Sequence, residues 1–142
     1  MSRTGTLLDA VATELNAVVW GEPVTIGKTY LPEIDRAELA TLHVAVVVQS
    51  MALEALSRSA RRWVYKVDVG LQKRVDPADL AEIDGLLGLL ETIGERFTGA
   101  QLTAMPGAVC TGCENEPPYS PDHLAKKRVF TGVITLILSV AA

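Results

Sequence analysis

From Arg62 to Val75 the chain alternates over a long stretch. Trp63, Tyr65, Val67, Val69 and Leu71 fall on one side, and Arg62, Lys66, Asp68, Gln72 and Arg74 fall on the other. Side chains of a strand point to opposite faces in turn, so an alternation this long demands one buried face and one wet face. Such a strand belongs in an antiparallel sheet that is covered on one side only. The remaining sequence must supply its neighbours and its cover. With 142 residues, 49% apolar and 21% charged, the chain is one domain over 1–142 with a core of ordinary size.

The cover is read from helical spacing. Thr6 is expected to open a first helix, with Asp9 three residues on as a variant of the capping box. Leu8, Val11, Leu15, Val18 and Val19 share one face of it, and Gly21 and Pro23 end it. Asp76 and Pro77 read as the N-cap and first position of a second helix. Leu80, Ile83, Leu87, Leu90 and Phe97 mark its stripe, Gly94 completes it, and Gly99 stops it. Gly85, Gly88 and Gly94 weaken that helix in isolation and permit close packing on a sheet.

The other strands are shorter signals. Val24, Ile26 and Tyr30 alternate with Thr25, Gly27 and Thr29 until Pro32, and residues 33–40 form an acidic connector. Leu42, Val44, Val46 and Val48 alternate with His43, Ala45, Val47 and Gln49, as in a central strand. Residues 51–61 read as a long excursion between paired strands, with room for one helical turn. Residues 100–125 read as loop, broken by Pro106, Pro117, Pro118 and Pro121, with space for a short strand around Ala108 to Cys113. A last strand is expected over Lys127 to Val140, with Phe130, Ile134, Leu136, Leu138 and Val140 inward. The sum is an α+β two-layer domain: a mainly antiparallel sheet with both helices on one face.

Several function classes lose their footing. Cys110 and Cys113 have the spacing of a redox pair, but Glu114, Asn115, Glu116, Pro117 and Pro118 follow. No helix start is there to lower a thiol pKa, and the carboxylates would raise it. A structural zinc needs four ligands, whereas only His123 lies near and His43 sits in a distant strand. The thiols are therefore expected to be incidental loop residues, with no metal and no cofactor. No phosphate-binding loop, dinucleotide fingerprint or nucleophile elbow is present, so the reading is non-enzymatic. Aromatics at 5% are thin for base stacking, and a net charge of −4 disfavours a nucleic-acid-binding surface over the whole protein. The longest apolar run, from Val129 to Ala142, is shorter than the ~20 residues of a membrane helix. A chain of this kind is expected to be soluble, made in the cytoplasm, and without a membrane partner.

Charge is segregated. Residues 58–75 carry Arg58, Arg61, Arg62, Lys66, Lys73 and Arg74 against Asp68, a net +5. Residues 76–99 carry Asp76, Asp79, Glu82, Asp84, Glu91 and Glu95 against Arg96, a net −5. Charge runs commonly mark solvated faces. They also suit complementary contacts between copies. In that sharper reading Arg58, Arg61, Arg62, Lys66 and Arg74 face Glu91 and Glu95 across a subunit or partner interface.

Two stretches carry a resemblance: YKVDVGLQKRVD from Tyr65 to Asp76, leading into an amphipathic helix, and SPDHLAKKRVFTGVITLILS from Ser120 to Ser139. Together with the order of elements, they resemble the tail terminator family of long, non-contractile-tailed phages, the siphoviruses. The resemblance covers most of the chain, and the Cys pair is no part of it. It implies a virion structural protein of the neck, a homo-oligomeric ring, typically hexameric, at the head-proximal end of the tail. Such a ring stops polymerisation of the major tail tube protein and docks the head connector or stopper in tail assembly. DNA passes through without specific binding, and a ring of acidic chains would not grip that polyanion. Two alternatives remain: another head–tail joining or minor tail protein, and a small nucleic-acid-binding module using Arg58, Arg61 and Arg62 with Lys126, Lys127 and Arg128.

Overall fold

The computed structural model describes residues 2–29, 39–115 and 118–141. Tyr30, Pro32 and most of the acidic connector lie outside the described residues. The fold is α+β, with two α-helices and a curled, mostly antiparallel sheet among the described residues. Its strands are β1 (Val24–Lys28), β2 (Leu42–Ala55), β3 (Arg61–Arg74), β4 (Gln101–Leu102), β5 (Met105–Glu114) and β6 (Val129–Ala141). They lie in the order β1-β2-β3-β6-β5-β4, with β1 parallel to β2 and every other pair antiparallel. The alternating strand read from the sequence is thus at the centre. Tyr65, Val67, Val69 and Leu71 are buried, with Val46 and Val44 beside them in β2 and Leu138, Leu136 and Ile134 in β6.

The first helix, α1, spans Arg3–Asn16. Its cap is Ser2, whose Oγ accepts the Gly5 N–H at 2.9 Å, and not Thr6, which lies inside the first turn. Leu7, Leu8, Val11 and Leu15 are buried. The helix ends before Val19, which is 87% exposed rather than part of the stripe. The Trp20 ring N–H donates to the Leu15 carbonyl at 3.0 Å and closes the last turn. This helix packs on β1 and β2 and also on β4 and β5, two opposite edges that one helix reaches only because the sheet curls round it.

The second helix, α2, spans Leu80–Phe97, three residues later than Pro77 predicts. Two acidic residues compete to cap it, and Asp79 wins by accepting the Glu82 N–H at 3.1 Å. Asp76 instead folds a turn ahead of the helix, accepting the Ala78 N–H on Oδ1 at 2.9 Å. Leu80 is consequently 74% exposed, Leu87 is half-buried, and the stripe is Ile83, Leu86, Leu90, Ile93, Gly94 and Phe97. This helix lies close on β6 and β5. A Cβ on Gly94 would stand 3.0 Å from Ile134 Cδ1 and 3.1 Å from Cys113 Sγ, whereas one on Gly85 or Gly88 would meet nothing. Close packing therefore explains only one of the three helical glycines.

Two segments depart from the expected elements. Residues 51–55 continue β2, and only Leu56–Ala60 turn, so the expected excursion is a β-hairpin. The short strand expected around Ala108 to Cys113 is part of a longer β5, Met105–Glu114, paired with β4 at Gln101–Leu102, so Cys110 and Cys113 lie in a strand and not in a loop. A π-helical turn, His123–Lys127, then precedes β6, with Arg128 in the left-handed region at φ 54°. That turn, not strand, holds Lys127.

Candidate functional site

The β2–β3 hairpin is the feature that stands apart from the core. From Gln49 through Arg61 every residue is exposed. A bulge between Val48 and Ser50 inserts one residue and shifts the parity of β2. Before it Val44, Val46 and Val48 share the inner face; after it Met51 and Leu53 stand opposite Tyr65 and Trp63 on that same face. Met51 is 51% exposed, Leu53 45% and Leu56 58%; α1 reaches this end of the sheet at Met51, whose Sδ lies 3.8 Å from Thr4 Oγ1. β1 pairs with β2 only as far as Val46, so the outer edge of β2 beyond that point has no strand partner among the described residues. The result is a twisted arm with an apolar inner side.

Its tip is ordered by its own hydrogen bonds. Leu56 N–H donates to the Ala60 carbonyl at 2.8 Å, and Ser57 Oγ accepts the Ala60 N–H at 3.1 Å. Arg58 and Arg61 project from this tip with no ion pair among the described residues, while Arg62 binds Glu54 across the arm, Nε to Oε2, at 2.8 Å.

A second surface lies between α2 and the sheet. Leu90, Gly94, Ile134 and Cys113 form the floor of an open groove of ≈ 610 Å³, and Glu91, Glu95, Thr98 and Asn115 form its rim. Glu91 and Glu95 are exposed and have no ion pair among the described residues. They sit one helical turn apart, where like charges cost about 0.2–0.5 kcal/mol in an isolated helix.

The seven residues expected at an interface do not form one patch. Arg58, Arg61 and Arg62 are on the arm, Lys66 is on the outer face of the sheet, and Arg74 ends β3 at the far side. Thirteen strand steps from Arg61 to Arg74 span about 43 Å at ~3.3 Å per residue. Some of the segregated charge is also satisfied within the chain. Lys73 Nζ lies 2.7 Å from Glu22 and 3.0 Å from Glu82, and Arg96 lies 3.3 Å from Glu14. Burial works to lower the Lys73 pKa, but its bonds to Glu22 and Glu82 outweigh that and hold it above the ordinary value. Arg74 meets Lys126, Lys127 and Arg128 at the end of the sheet opposite the arm, since Arg74 pairs with Val129 and Val75 N–H donates to the Arg128 carbonyl. The two basic clusters of the nucleic-acid alternative are therefore a strand length apart.

The thiols and imidazoles are also separated. A bulge at Thr111 places both Cys110, opposite Leu138, and Cys113, opposite Leu136, on the inner face. Cys110 is fully buried, its pKa raised by that burial, and donates to the Gly112 carbonyl at 3.2 Å. His43 alternates with buried Leu42 and Val44 and so faces outward. His123 Nδ1 lies 3.0 Å from Thr131 Oγ1, another residue of the outer face. Among the described residues no group of three or more His, Cys, Asp or Glu side chains could hold a metal ion, and no helix is long and apolar enough to cross a membrane.

Sequence reasoning missed that Met51, Leu53 and Leu56 stand exposed on the arm, and that Leu90 and Ile134 floor a groove. The signal for the arm was present: apolar residues move from even positions in Val44, Val46 and Val48 to odd positions in Met51 and Leu53. No family model matches the sequence, and no curated protein matches it significantly.

Proposed function

We propose that this chain is a structural virion protein of the tail-terminator kind. It forms a ring, six-fold by the resemblance, at the head-proximal end of a phage tail tube. There it ends tube polymerisation and joins the tail to the head connector in the neck, and its role is structural rather than catalytic. The observation that carries this reading is the β2–β3 arm, with Met51, Leu53 and Leu56 exposed beside Arg58 and Arg61. Apolar side chains on an unpaired strand edge are a liability in a monomer and a contact in an assembly. The net charge of −4 per chain suits a conduit for DNA. The test is deletion of the gene from the phage that carries it, followed by imaging of the lysate. Tails of uncontrolled length without heads are expected. Tails of normal length joined to heads would overturn the proposal.

The basic end formed by Arg74, Lys126, Lys127 and Arg128 favours a second reading, a nucleic-acid-binding module. None of the four has an ion pair among the described residues. In that case duplex DNA retains the protein at low salt, and affinity falls about 10³-fold or more between 50 and 200 mM if six phosphates are contacted.

A further inference from the structure

The arm and the groove are complementary, and they belong to one chain that cannot bring them together. We infer that the arm of one copy seats in the α2–β6 groove of the next, a head-to-tail contact between identical chains. The inference rests on the self-assembly part of the reading above and gives it a surface.

The complementarity has two parts. The arm presents Leu53 and Leu56 with the unpaired cations Arg58 and Arg61 at its tip. The groove presents an apolar floor of Leu90 and Ile134 with the unpaired carboxylates Glu91 and Glu95 on its rim. Cations entering between Glu91 and Glu95 relieve the repulsion of two like charges one turn apart, which nothing described in the free chain does. Burying Leu53 and Leu56 removes from water the apolar surface that the helices leave uncovered.

The geometry excludes contact within one chain. Ile134 of the groove floor stands opposite Val69 in β3. The tip begins at Arg61, eight strand steps away, or about 26 Å at ~3.3 Å per residue. The β3 side of the arm is held by β6, which pairs with it as far as Arg62 with Ala141, so the arm does not fold back. Two different patches that meet only between copies make a heterologous contact. Such contacts generate closed rings when the rotation closes and filaments when it does not. Opposite charges on the two patches steer the encounter and disfavour pairing of like with like.

The experiment mixes two proteins, both carrying Cys113→Ser, one with Ser59→Cys at the tip and one with Thr98→Cys on the groove rim. Mild oxidation is expected to give chiefly the mixed 59–98 cross-link, identified by peptide mapping. Cross-links only of 59 to 59 or 98 to 98, or oligomers with neither site joined, would overturn the arm–groove contact while leaving self-assembly standing. In parallel, Arg58→Glu with Arg61→Glu is expected to weaken self-association by about tenfold or more, the scale of close interfacial charge pairs. Mixing it with Glu91→Arg, Glu95→Arg protein should restore association. Unchanged association of the first variant would also overturn the contact. Wild-type protein that stays monomeric at every concentration, with and without tail tubes, would instead overturn the self-assembly reading itself.

Discussion

Glu14 Oε1 accepts two hydrogen bonds from Thr103, from its backbone N–H at 3.0 Å and its hydroxyl at 2.6 Å, across 89 positions of sequence. Its other oxygen lies 3.3 Å from Arg96 Nη2. One carboxylate thus ties α1 to the β4–β5 turn and to the end of α2. The Thr103 hydrogen bonds, and after them the Arg96 charge, hold the Glu14 pKa below the ordinary glutamate value. A folded pKa below the unfolded one gives stability that is full above the unfolded value, about 4.3, and lost as pH falls through the folded value. Glu14→Gln is expected to cost about 1–2 kcal/mol at pH 7 and less at pH 3. Urea unfolding at both pH values checks this; an equal cost at each would contradict it.

Gly132 leaves room in β6 for the Leu90 side chain of α2. A Cβ there would lie 2.7 Å from Leu90 Cδ1, 3.0 Å from Phe130 Cε1 and 3.1 Å from the Pro118 carbonyl oxygen. Gly132→Ala is expected to destabilise by about 1–3 kcal/mol through overpacking. Leu90→Ala, at a buried position, should cost about 2–5 kcal/mol. Because Leu90→Ala removes the nearest clashing atom, the double variant should cost less than the sum of the two. Strict additivity in denaturant unfolding would mean that the two residues do not share this contact.

The two thiols should behave differently. Cys110 is fully buried against the core, and Cys113 is half-buried at the groove. Cys110→Ser places a hydroxyl in an apolar site and is expected to cost about 1–3 kcal/mol. Cys113→Ser should stay within about 1 kcal/mol. In alkylation of the native protein Cys113 should react first and Cys110 only on unfolding, as burial and a raised pKa both protect it. Equal rates would contradict the placement of Cys110 in the core.

Regular periodicity was legible in the sequence, and its interruptions were not. The central strand and the inward set Phe130, Ile134, Leu136, Leu138 and Val140 follow directly from alternation, because one unbroken strand keeps one parity. A single inserted residue at the β2 bulge and another at Thr111 reverse that parity, so β2 from residue 51 read as an excursion and β5 as loop with only a short strand around Ala108 to Cys113. The start of α2 was misplaced for a different reason: Asp76 and Asp79 are equally good caps by type, and only the folded turn shows which one serves. The segregated charge was visible, yet its sorting into internal pairs at Lys73, Arg62 and Arg96 and free groups at Arg58, Arg61, Glu91 and Glu95 depends on tertiary placement.

The arm should be separable from the stability of the subunit. Met51→Ser with Leu53→Ser alters two exposed side chains, so unfolding of the monomer is expected to shift by no more than about 0.5 kcal/mol per site. Self-association measured by sedimentation should fall in the same variant. A large loss of monomer stability would place these residues in the core rather than on an interaction surface.

Native mass spectrometry of the purified chain over a range of concentrations tests the central claim most directly. A head-to-tail contact that closes into a ring predicts one high-order stoichiometry rising at the expense of monomer, with few species between. A monomer at all concentrations, with and without tail tubes, a two-fold dimer, or an open-ended ladder of oligomers would contradict it.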